Sequence, residues 1–507
     1  MRRTLACLAG IAGLALAALP VSAAANPLAF GGPTLVSPGG SPFGTLPCQP
    51  DPGSGTNFPG TQVEPWLAVD PSNNNNMISV YQQDRWSNGG ANAILDAFST
   101  DGGTTWTTPL IANQPKFSEC TGGTGDTGGY NRASDAWVTV SPNGDDYFMA
   151  LQADIGLTTS NNNAMSVSRS TDHGATWSTP IVLKRDTSLN VLNDKNSMTA
   201  DRFNSNNVYA VWDRLVFPNA TAARQAGERG IGYRGPTWFS RTTDGGASWE
   251  PARMIYDPGE VNQTIGNQIV ETSDGTLVDG FDLLFNFKNS HKVRGFNVAV
   301  IRSTDHGAHW SGAKIVAHQN PGTVSDPTTG FPVRTGDIIP EIAADPRPGS
   351  KIVYMVWQED TSGSPSQVML SKSTDDGVGW SAPKVVSQSP AGVEAFTPSV
   401  RVGSDGTVAV TYYDFRNDDS GAPLLTDVWA TESSDGGATF SSPDDHVMGP
   451  FDMSTAAVAG GYFTGDYEGL DTGIDPADGK QFFEAGYVQA DGTTASPSSH
   501  VFASKGK

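Results

Sequence analysis

Cysteine and histidine are scarce in this sequence. Of its 507 residues, 3 are cysteines and 7 are histidines. No group of them has the spacing of a zinc-binding module, so the sequence predicts neither a metal site nor a cofactor. Three of the histidines, His173, His306 and His309, lie inside a repeated turn motif, which favours surface turn residues over metal ligands.

Basic residues are also few. Lysine and arginine number 31 against 53 acidic residues, which gives a formal net charge of −22 at pH 7. Such a surface repels phosphate backbones, so we expect no nucleic acid among the partners. A soluble protein released from the cell accounts for the acidity equally well.

Amphipathic helices and long apolar runs are missing beyond residue 25. With 58 glycines and 34 prolines, the composition is typical of many short strands joined by turns. The apolar run Leu5–Leu19 follows a pair of arginines and precedes small residues, and this order predicts a signal peptide over residues 1–25. The run is too short for a membrane anchor. We therefore expect a secreted, extracellular protein that has no membrane span and is a monomer.

Two cysteines, Cys48 and Cys120, lie beyond the predicted signal peptide. In an oxidising compartment the simplest arrangement is a disulfide between them. Two buried free thiols are the alternative.

Against these absences stands one octapeptide that occurs six times. Its form at residues 170–177 is Ser-Thr-Asp-His-Gly-Ala-Thr-Trp, and by subtraction the aspartates of successive copies are 71, 72, 61, 70 and 60 residues apart. A spacing this regular indicates one supersecondary unit repeated along the chain. The six copies, which we call the boxes, are residues 99–106, 170–177, 242–249, 303–310, 373–380 and 433–440.

The composition of the box predicts a tight turn between two strands. The aspartate can accept hydrogen bonds from backbone N–H groups a few residues on. The glycine two positions later supplies a positive φ at little cost, and the final Trp or Phe packs under the turn. An apolar alternating run precedes each box and a short run follows it, so we expect strand, turn and strand in every copy.

A second pattern recurs upstream of each box. It consists of a polar or proline residue, an apolar stretch ending near an aspartate, a turn, and an apolar-aromatic run, as in residues 64–70 followed by 77–85. Each unit therefore holds four strands, which we call inner, second, third and outer. Four tryptophans at strand positions are expected in the core between units: Trp66, Trp137, Trp212 and Trp357.

The octapeptide is identified as the Asp box, or bacterial neuraminidase repeat, of the sialidase superfamily. The resemblance covers nearly the whole chain after the signal peptide and implies an all-β propeller of four-stranded blades with boxes as turns. Sialidases resemble six-bladed propellers, whereas here residues 467–471, 480–489 and 500–505 look like strands of a seventh blade. Residues 33–37 would supply its outer strand and close the ring, so seven blades are preferred over six.

This organisation divides the chain into three parts. They are the signal peptide (1–25), an N-terminal closing strand with a Pro/Gly-rich strap (26–61), and the propeller (62–507).

The resemblance implies a glycoside hydrolase, specifically an exo-α-sialidase acting on terminal sialic acid of glycoconjugates. Sialidases resemble one another in an arginine triad, an acid/base Asp and a Tyr nucleophile activated by a Glu. The family's Phe-Arg-Ile-Pro motif is absent from this sequence. Two alternatives stay open: a non-catalytic propeller that binds glycan or protein, and another polysaccharide-acting enzyme, such as one directed at arabinan or xyloglucan.

Any site is expected on the face opposite the boxes, where the long insertions 114–132, 215–236 and 317–338 lie. Arg85, Arg214 and Arg416 occupy comparable second-strand ends and together could grip a substrate carboxylate. The alternative is that each forms an ion pair with a neighbouring aspartate. Those aspartates are Asp84, Asp213 and Asp414.

The stretch Asp466-Tyr467-Glu468 is the best catalytic candidate, together with Asp414. Strand alternation separates Tyr467 from Glu468 and leaves Asp466 and Glu468 as a carboxylate pair for acid/base work. The alternative is that Asp466 caps a turn and Tyr467 packs between blades. Glu64, at the start of the first inner strand, is a further substrate-binding candidate. Other candidates on this face are Tyr130, Arg132, Asp135, Asp194, Asp337 and Glu341, with Trp86 and Trp238 as platforms for a sugar ring.

Overall fold

The computed structural model of the chain describes residues 28–44, 55–155, 162–226, 232–285, 295–360, 365–419, 421 and 423–507. The predicted signal peptide and Cys48 lie outside these residues. Within them the regular structure is almost entirely β-strand, as the composition predicted. The helical segments are α1 (Gly125–Gly128), α2 (Ala220–Ala226) and the 3-10 turns Glu119–Thr121 and Met453–Thr455.

Thirty strands follow one another along the described residues. In the first half of the chain they are β1 (Thr34–Leu35), β2 (Gln62–Val69), β3 (Met77–Arg85), β4 (Ala91–Ser99), β5 (Arg132–Val140), β6 (Asp146–Ala153), β7 (Asn163–Ser170), β8 (Ile181–Asp186), β9 (Val191–Ala200), β10 (Val208–Val216), β11 (Thr237–Thr242) and β12 (Arg253–Tyr256). The next are β13 (Asn262–Glu271), β14 (Leu277–Phe285), β15 (Phe296–Ser303), β16 (Lys314–Gln319), β17 (Val324–Ser325), β18 (Pro332–Arg334), β19 (Glu341–Ala344), β20 (Val353–Asp360), β21 (Ser366–Ser373) and β22 (Lys384–Val385). The last are β23 (Ala395–Val402), β24 (Val408–Asp414), β25 (Leu425–Ser433), β26 (Asp445–Asp452), β27 (Tyr462–Phe463), β28 (Gly469–Ile474), β29 (Gln481–Ala490) and β30 (Ser499–Gly506).

Antiparallel pairing of sequential strands groups them into runs that follow the repeat. The first two runs, β2-β3-β4 and β5-β6-β7-β8, are joined into one sheet by the pair Ala91–Ala133. Four further sheets follow the same sequential pattern. They are β9 to β12, β13 to β16, β19 to β22, and β23 to β26.

The last sheet has the order β1-β30-β29-β28 and thus joins the two ends of the chain. Thr34 pairs with Ala503, and Leu35 pairs with Phe502. The pairing predicted for the N-terminal segment is confirmed. It gives β30 a partner along an edge that would otherwise be open.

One small sheet lies outside the repeat. Its strands β17 and β18 come from the insertion 317–338, and β18 pairs in parallel with β27. This pairing links the insertion to the segment just before Gly465. The candidate site described below forms at that link.

Each box adopts the turn that its composition predicted, with nearly the same geometry in all six copies. In the box at 170–177, the hydroxyl of Ser170 donates to Asp172 (2.8 Å) and accepts the amide of Gly174 (2.9 Å). The Oδ1 of Asp172 accepts the amide of Thr176 at 2.9 Å, and Gly174 has a φ of 80°. The corresponding amide-to-Asp distance in the other boxes is 2.8 or 2.9 Å.

The cores between neighbouring runs are built from large side chains at the predicted positions. Trp66 and Trp137 are stacked with ring centroids 3.6 Å apart. Trp212 and Trp357 are fully buried. All four tryptophans lie in the hydrophobic clusters between strands of adjacent runs, as expected for rings that exclude water from the inter-sheet space.

We predict that the box aspartates stabilise the fold through these turn contacts. Asp172→Ala removes the acceptor for the amide and, at 2.6 Å, for the hydroxyl of Thr176. By analogy with the loss of a helix N-cap, the free energy of unfolding is expected to fall by about 1–2 kcal/mol. Asp172→Asn keeps one oxygen acceptor and is expected to lose less. Urea denaturation of both variants measures this, and an Asp172→Ala protein as stable as the wild type would contradict it.

Candidate functional site

Several inner strands share a β-bulge at the end remote from the boxes. At the bulge the register shifts by one residue, between Val63 and Trp66 in β2 and between Ser134 and Trp137 in β5. Residues at these bulges have a positive φ: Glu64 (53°), Asp135 (51°), Lys195 (42°), Gly266 (72°) and Thr397 (48°). A side-chain-bearing residue in this region costs roughly 1–3 kcal/mol. A bulge of this kind re-aims a side chain, and here it turns those of Glu64, Asp135 and Lys195 towards one another.

The ammonium group of Lys195 is the centre of the cluster that results. Its Nζ lies 2.7 Å from Asp466 Oδ2, 3.0 Å from Glu64 Oε1 and 3.4 Å from Asp135 Oδ1. The Lys195 side chain is 10% exposed, and those of its three partners are 5% exposed or less. Three buried carboxylates thus converge on one cation: Glu64 from β2, Asp135 from β5 and Asp466 from the segment between β27 and β28. We call these four residues the Lys195 cluster.

Asp466 is held by a second cation from the inserted sheet. Arg334, at the end of β18, donates its Nε to Asp466 Oδ1 at 2.8 Å and its Nη2 to Oδ2 at 2.5 Å. This bidentate geometry is the strongest form of an arginine–carboxylate contact. The parallel pairing of β18 with β27 carries Arg334 to this position. The insertion therefore completes the cluster.

The charges of the cluster compensate one another. Burial alone would lower the pKa of the Lys195 ammonium, but the surrounding carboxylates outweigh burial and raise this pKa well above its usual range. Burial alone would raise the pKa of Asp466, but Arg334 and Lys195 hold it well below its usual range. Lys195 is therefore charged and Asp466 is ionised at neutral pH.

Other carboxyl groups nearby behave differently, because burial dominates. Burial raises the pKa of Glu64 to about 7, against the opposing effect of Lys195. Burial and the charge of Asp135 raise the pKa of Asp194 to about 7. Burial and the charge of Asp466 raise the pKa of Asp337 to about 6. The site therefore holds a permanently ionised carboxylate beside one that changes protonation near neutral pH.

The difference in pKa between Glu64 and Asp466 suits acid/base chemistry. Pairs of carboxyl groups whose environments push their pKa values apart can divide acid and base roles between them. Glu64 and Asp466 form such a pair, and both contact the same ammonium. The arrangement can hold a proton on Glu64 and negative charge on Asp466 within one water-poor site.

Aromatic rings form the wall of the site. The Nζ of Lys195 lies 5.4 Å from the ring centroid of Tyr467, and this ring contacts both Trp66 and Trp137 edge-on or tilted. The Tyr467 hydroxyl donates to the carbonyl of Ala136 at 3.3 Å. Burial, together with the neighbouring carboxylates, raises the pKa of Tyr467 well above its usual range. Tyr467 is thus packed between sheets, which is the alternative that the sequence left open.

The structure brings together only some of the predicted residues. Asp466 and Glu64 meet at Lys195. Glu468 does not join them, because its Oε1 accepts the hydroxyl of Tyr413 at 2.7 Å between the last two sheets. The predicted pairing of Asp466 with Glu468 is therefore not what the contacts show. Tyr467 and Glu468 lie in different surroundings, as expected, although both precede the first strand residue of β28, Gly469.

The three predicted arginines have different partners. Arg416 forms ion pairs with Asp414 (2.6 Å) and Asp444 (2.7 Å), so the ion-pair alternative describes it and accounts for Asp414 as well. Arg214 pairs with Asp186 of the outer strand β8 rather than with Asp213. Arg214 and Arg416 therefore bind other carboxylates and lie outside the Lys195 cluster. The predicted clamp of three arginines does not form there.

Arg85, unlike the other two arginines, lies next to the Lys195 cluster. It is close enough to Glu64 to lower the pKa of that carboxyl, although burial dominates. Its Cζ lies 5.0 Å from the ring centroid of Phe463, and the Cζ of Arg334 lies 4.4 Å from the same centroid. Two guanidinium groups therefore flank one ring beside Asp466.

Two central residues, Lys195 and Arg334, were missed by the sequence reasoning. Lys195 occupies the same position in its inner strand as Glu64 and Asp135 do in theirs, so aligning the inner strands of the repeat would have marked it. Arg334 lies in an insertion outside the repeat, where no pattern constrains its direction. Only the β18–β27 pairing reveals its role.

Other predicted residues lie outside the cluster. Cys120 is disulfide-bonded, and Cys48 lies outside the described residues. Trp86 is buried with the guanidinium of Arg132 3.8 Å from its ring centroid, and Trp238 lies 4.8 Å from the Nζ of Lys184. Both rings thus already contact cations. No helix in the described part of the chain has the length and apolar character needed to cross a membrane.

Part of the chain matches a known family of repeat domains. Residues 221–462, a little under half of the chain, match the family described as the BNR repeat-like domain. A search of curated proteins finds no significant match to the sequence.

Solved structures with similarity to the chain include enzymes that act on different sugars. An α-L-arabinanase of Penicillium chrysogenum in complex with arabinobiose is 10% identical, with a TM-score of 0.46 over 94% of this chain and 98% of the other. A variant of the NanB sialidase of Streptococcus pneumoniae is 10% identical, with a TM-score of 0.44 over 94% and 98%. A Hadza microbial sialidase is 16% identical, with a TM-score of 0.43 over 69% and 63%.

The matched residues contain four of the six boxes, those at 242–249, 303–310, 373–380 and 433–440. Residues 221–462 of the chain therefore form a BNR repeat-like domain, the repeat that its boxes predicted.

Proposed function

We propose that the chain is a secreted glycoside hydrolase of the sialidase type, with its active centre at the Lys195 cluster. The observation that carries the proposal is the pair formed by Glu64 and Asp466. One of these carboxyl groups changes protonation near pH 7, the other is ionised, and both contact Lys195. Glycosidases divide the same two roles between two carboxyl groups.

The scaffold in this proposal is a seven-bladed propeller. Seven antiparallel runs follow the repeat, and β1 supplies the outer strand of the last one. Their inner strands would line a central channel, with the bulge residues at one mouth and the boxes on the opposite face. The remaining parts are a signal peptide over residues 1–25 and a closing strand and strap over residues 26–61.

In the proposed mechanism, Glu64 donates the proton to the leaving-group oxygen, and Asp466 stabilises the positive charge that develops on the sugar. Glu64 Oε1 and Asp466 Oδ2 lie 3.0 and 2.7 Å from the same Nζ. Their separation cannot exceed the sum of these distances, which is below the roughly 6.5–9.5 Å of inverting glycosidases. The spacing therefore favours retention: a carboxylate oxygen of Asp466 bonds to the anomeric carbon as the bond to the protonated leaving group breaks, and Glu64, now deprotonated, takes a proton from the water that hydrolyses the resulting ester.

The cations favour a sugar that carries a carboxylate. Arg85 and Arg334 flank Phe463, and Lys195 contacts the same oxygen of Asp466 as Arg334 does. Arginine recognises carboxylates through paired N–H donors. We therefore name an exo-α-sialidase as the specific activity, with Arg85 in the place of the predicted clamp and Arg334 holding Asp466 beside it.

One observation favours a second function. The side chains of the Lys195 cluster are at most 10% exposed, and that of Arg334 is 18% exposed. A site this closed suits a propeller that binds glycan or protein at its rim and uses the cluster to hold the blades together.

We predict that Asp466→Asn lowers kcat roughly 100-fold or more, because it weakens the charge that stabilises the transition state. Release of fluorophore from an aryl α-sialoside, followed by aryl arabinosides and xyloglucan, measures turnover. The matched control is Asp345→Asn, which alters another buried aspartate with a bidentate arginine partner, Arg347. That variant is expected to stay within a few-fold of the wild type.

Two outcomes would count against the enzyme. Unchanged turnover in folded Asp466→Asn would remove the active centre from the Lys195 cluster. No turnover of any of these substrates by the folded wild type would favour the binding function instead. In that case, an Asp466→Asn protein that no longer binds the glycan array would locate the glycan-binding site at the Lys195 cluster.

We also predict that activity falls as the pH rises through about 7, because Glu64 must be protonated to act as the acid. Its pKa in the folded state is raised above the usual 4.5, so the folded state binds more protons between these values. The contribution of Glu64 to stability is therefore complete below about pH 4.5 and declines as the pH rises through 7. Glu64→Gln is expected to lower kcat and to weaken the pH dependence of both kcat and the free energy of unfolding.

The control for this pH dependence is Glu484→Gln. Burial raises the pKa of Glu484 to about 8, but this residue lies beside the first box, at Gly103. Its replacement is expected to change how the melting temperature depends on pH and to leave the pH profile of kcat intact. A Glu64→Gln enzyme whose kcat profile matches that of the wild type would overturn the role of Glu64.

A further inference from the structure

A second cluster of titratable side chains lies at the other end of strand β9 from Lys195. Asp201 directly follows β9, Glu271 is the last residue of β13, and His306 belongs to the box at 303–310. Their side-chain ligand atoms all lie within 4.8 Å of one another. The three residues come from two adjacent runs of strands, so only the folded chain assembles them.

One carboxylate oxygen of Glu271 is buried in this cluster without a hydrogen-bond partner in the described part of the chain. The residue is 2% exposed. Its Oε2 accepts the backbone amide of Arg202 at 2.8 Å, while its buried Oε1 has no hydrogen-bond partner among the described residues. Buried carboxylate oxygens are normally paired or coordinate a metal. Other buried carboxylate oxygens of the described residues also lack a partner, but Glu271 alone among these residues belongs to a group with the spacing of metal ligands.

The surroundings of Gly275 show where this oxygen points. A Cβ placed on Gly275 would lie 3.6 Å from His306 Cε1 and 3.9 Å from Glu271 Oε1. The unpartnered oxygen and the imidazole ring thus border the same small space. Gly275 leaves that space open.

Asp201 is held in a fixed orientation. Its Oδ1 accepts the amides of Phe203 and Asn204, both at 2.9 Å. Its Oδ2 accepts the hydroxyl of Tyr209 at 2.7 Å and lies 3.7 Å from His306 Nδ1. Hydrogen bonds that orient a carboxylate in this way are typical of residues that support metal ligands.

We propose that Asp201, Glu271 and His306 bind a divalent transition-metal ion, for which Zn²⁺ is the best match. One imidazole and two carboxylates are the donors that zinc accepts, and three protein ligands leave a fourth position for water. The guanidinium of Arg202 lies 3.3 Å from the Glu271 carbonyl and offsets part of the negative charge. The ion would tie the box at 303–310 to the turn at 201–207. It would stabilise the fold in proportion to its occupancy.

The chain offers a matched control in the box at 170–177. His173 occupies the same box position as His306, with a φ of 57° against 54°. It lies 3.8 Å from Asp70, as His306 lies 3.7 Å from Asp201. Among the described residues, however, no third ligand completes a group around His173. Three other boxes carry glycine at this position, so a histidine-to-glycine change suits the backbone in both.

The test is titration of Zn²⁺ into the full-length protein after removal of metal with EDTA, followed by calorimetry. We expect one site, weakened at least 10-fold in His306→Gly and in Glu271→Gln and unchanged in His173→Gly. Addition of Zn²⁺ should raise the melting temperature of the wild type and of His173→Gly only. This readout is independent of enzymatic activity, so failure of the proposed hydrolase would not affect it.

Substitution of Co²⁺ adds a spectroscopic check, because ligand-field absorption reports coordination by imidazole and carboxylate. The exposed pair His309 and Asp305, 2.7 Å apart, is a competing position. Zinc binding that survives in His306→Gly, or that is lost in His309→Ala instead, would overturn the proposal. So would the absence of saturable binding to the wild type.

Discussion

The charge balance around Lys195 is the constraint on which the rest of this structure depends. Moving an isolated ion from water into a protein interior costs several kcal/mol, and attraction between partners offsets this only when the geometry is good. Here one ammonium faces three carboxylates, and Asp466 has Arg334 as a second cation. Removing either cation would leave buried negative charge uncompensated. The positions of β2, β5, β9, the inserted sheet and the segment before β28 are therefore mutually dependent.

The bulges explain how a repeated strand can produce a site that is not repeated. Each bulge places one residue with a positive φ at the same level of its inner strand. In successive copies that residue is Glu64, Asp135, Lys195 and Gly266. The backbone conformation is common to them, whereas the side chain differs. The repeated scaffold thereby presents two carboxyl groups, one ammonium group and a glycine at equivalent positions. The site is asymmetric because single residues differ between copies.

Much of the fold could be predicted from the sequence, because turns and alternation are local properties. The boxes, the four-strand pattern of each run and the pairing of residues 33–37 with the last strand all follow from residue type and spacing. The tryptophans of the core do as well. The candidate site was harder to predict. Asp466 and Glu64 could be selected as charged residues at strand ends, but their convergence depends on bulges, which shift the register by one residue and reverse the expected direction of a side chain.

The errors have the same physical origin. Asp466 and Glu468 are two residues apart and would share a side in a regular strand, yet regular pairing in β28 begins only at Gly469. Their partners therefore differ. For Arg214, the sequence shows Asp213 as a neighbour, but the arginine pairs with Asp186 of the outer strand β8. Long side chains take the partner that the outer strands bring near, and these outer strands are the least regular part of each run.

The two ends of β9 show how one scaffold separates two kinds of chemistry. At the Lys195 end, the carboxyl groups of Glu64, Asp135 and Asp466 face one ammonium group. At the Asp201 end, Glu271 keeps one buried oxygen without a partner although Arg202 is near. What distinguishes this end is the grouping of donors, because the ligand atoms of Asp201, Glu271 and His306 all lie within 4.8 Å of one another. The same grouping separates the two histidines at equivalent box positions, because among the described residues His306 belongs to such a group, whereas His173 pairs with Asp70 and belongs to none.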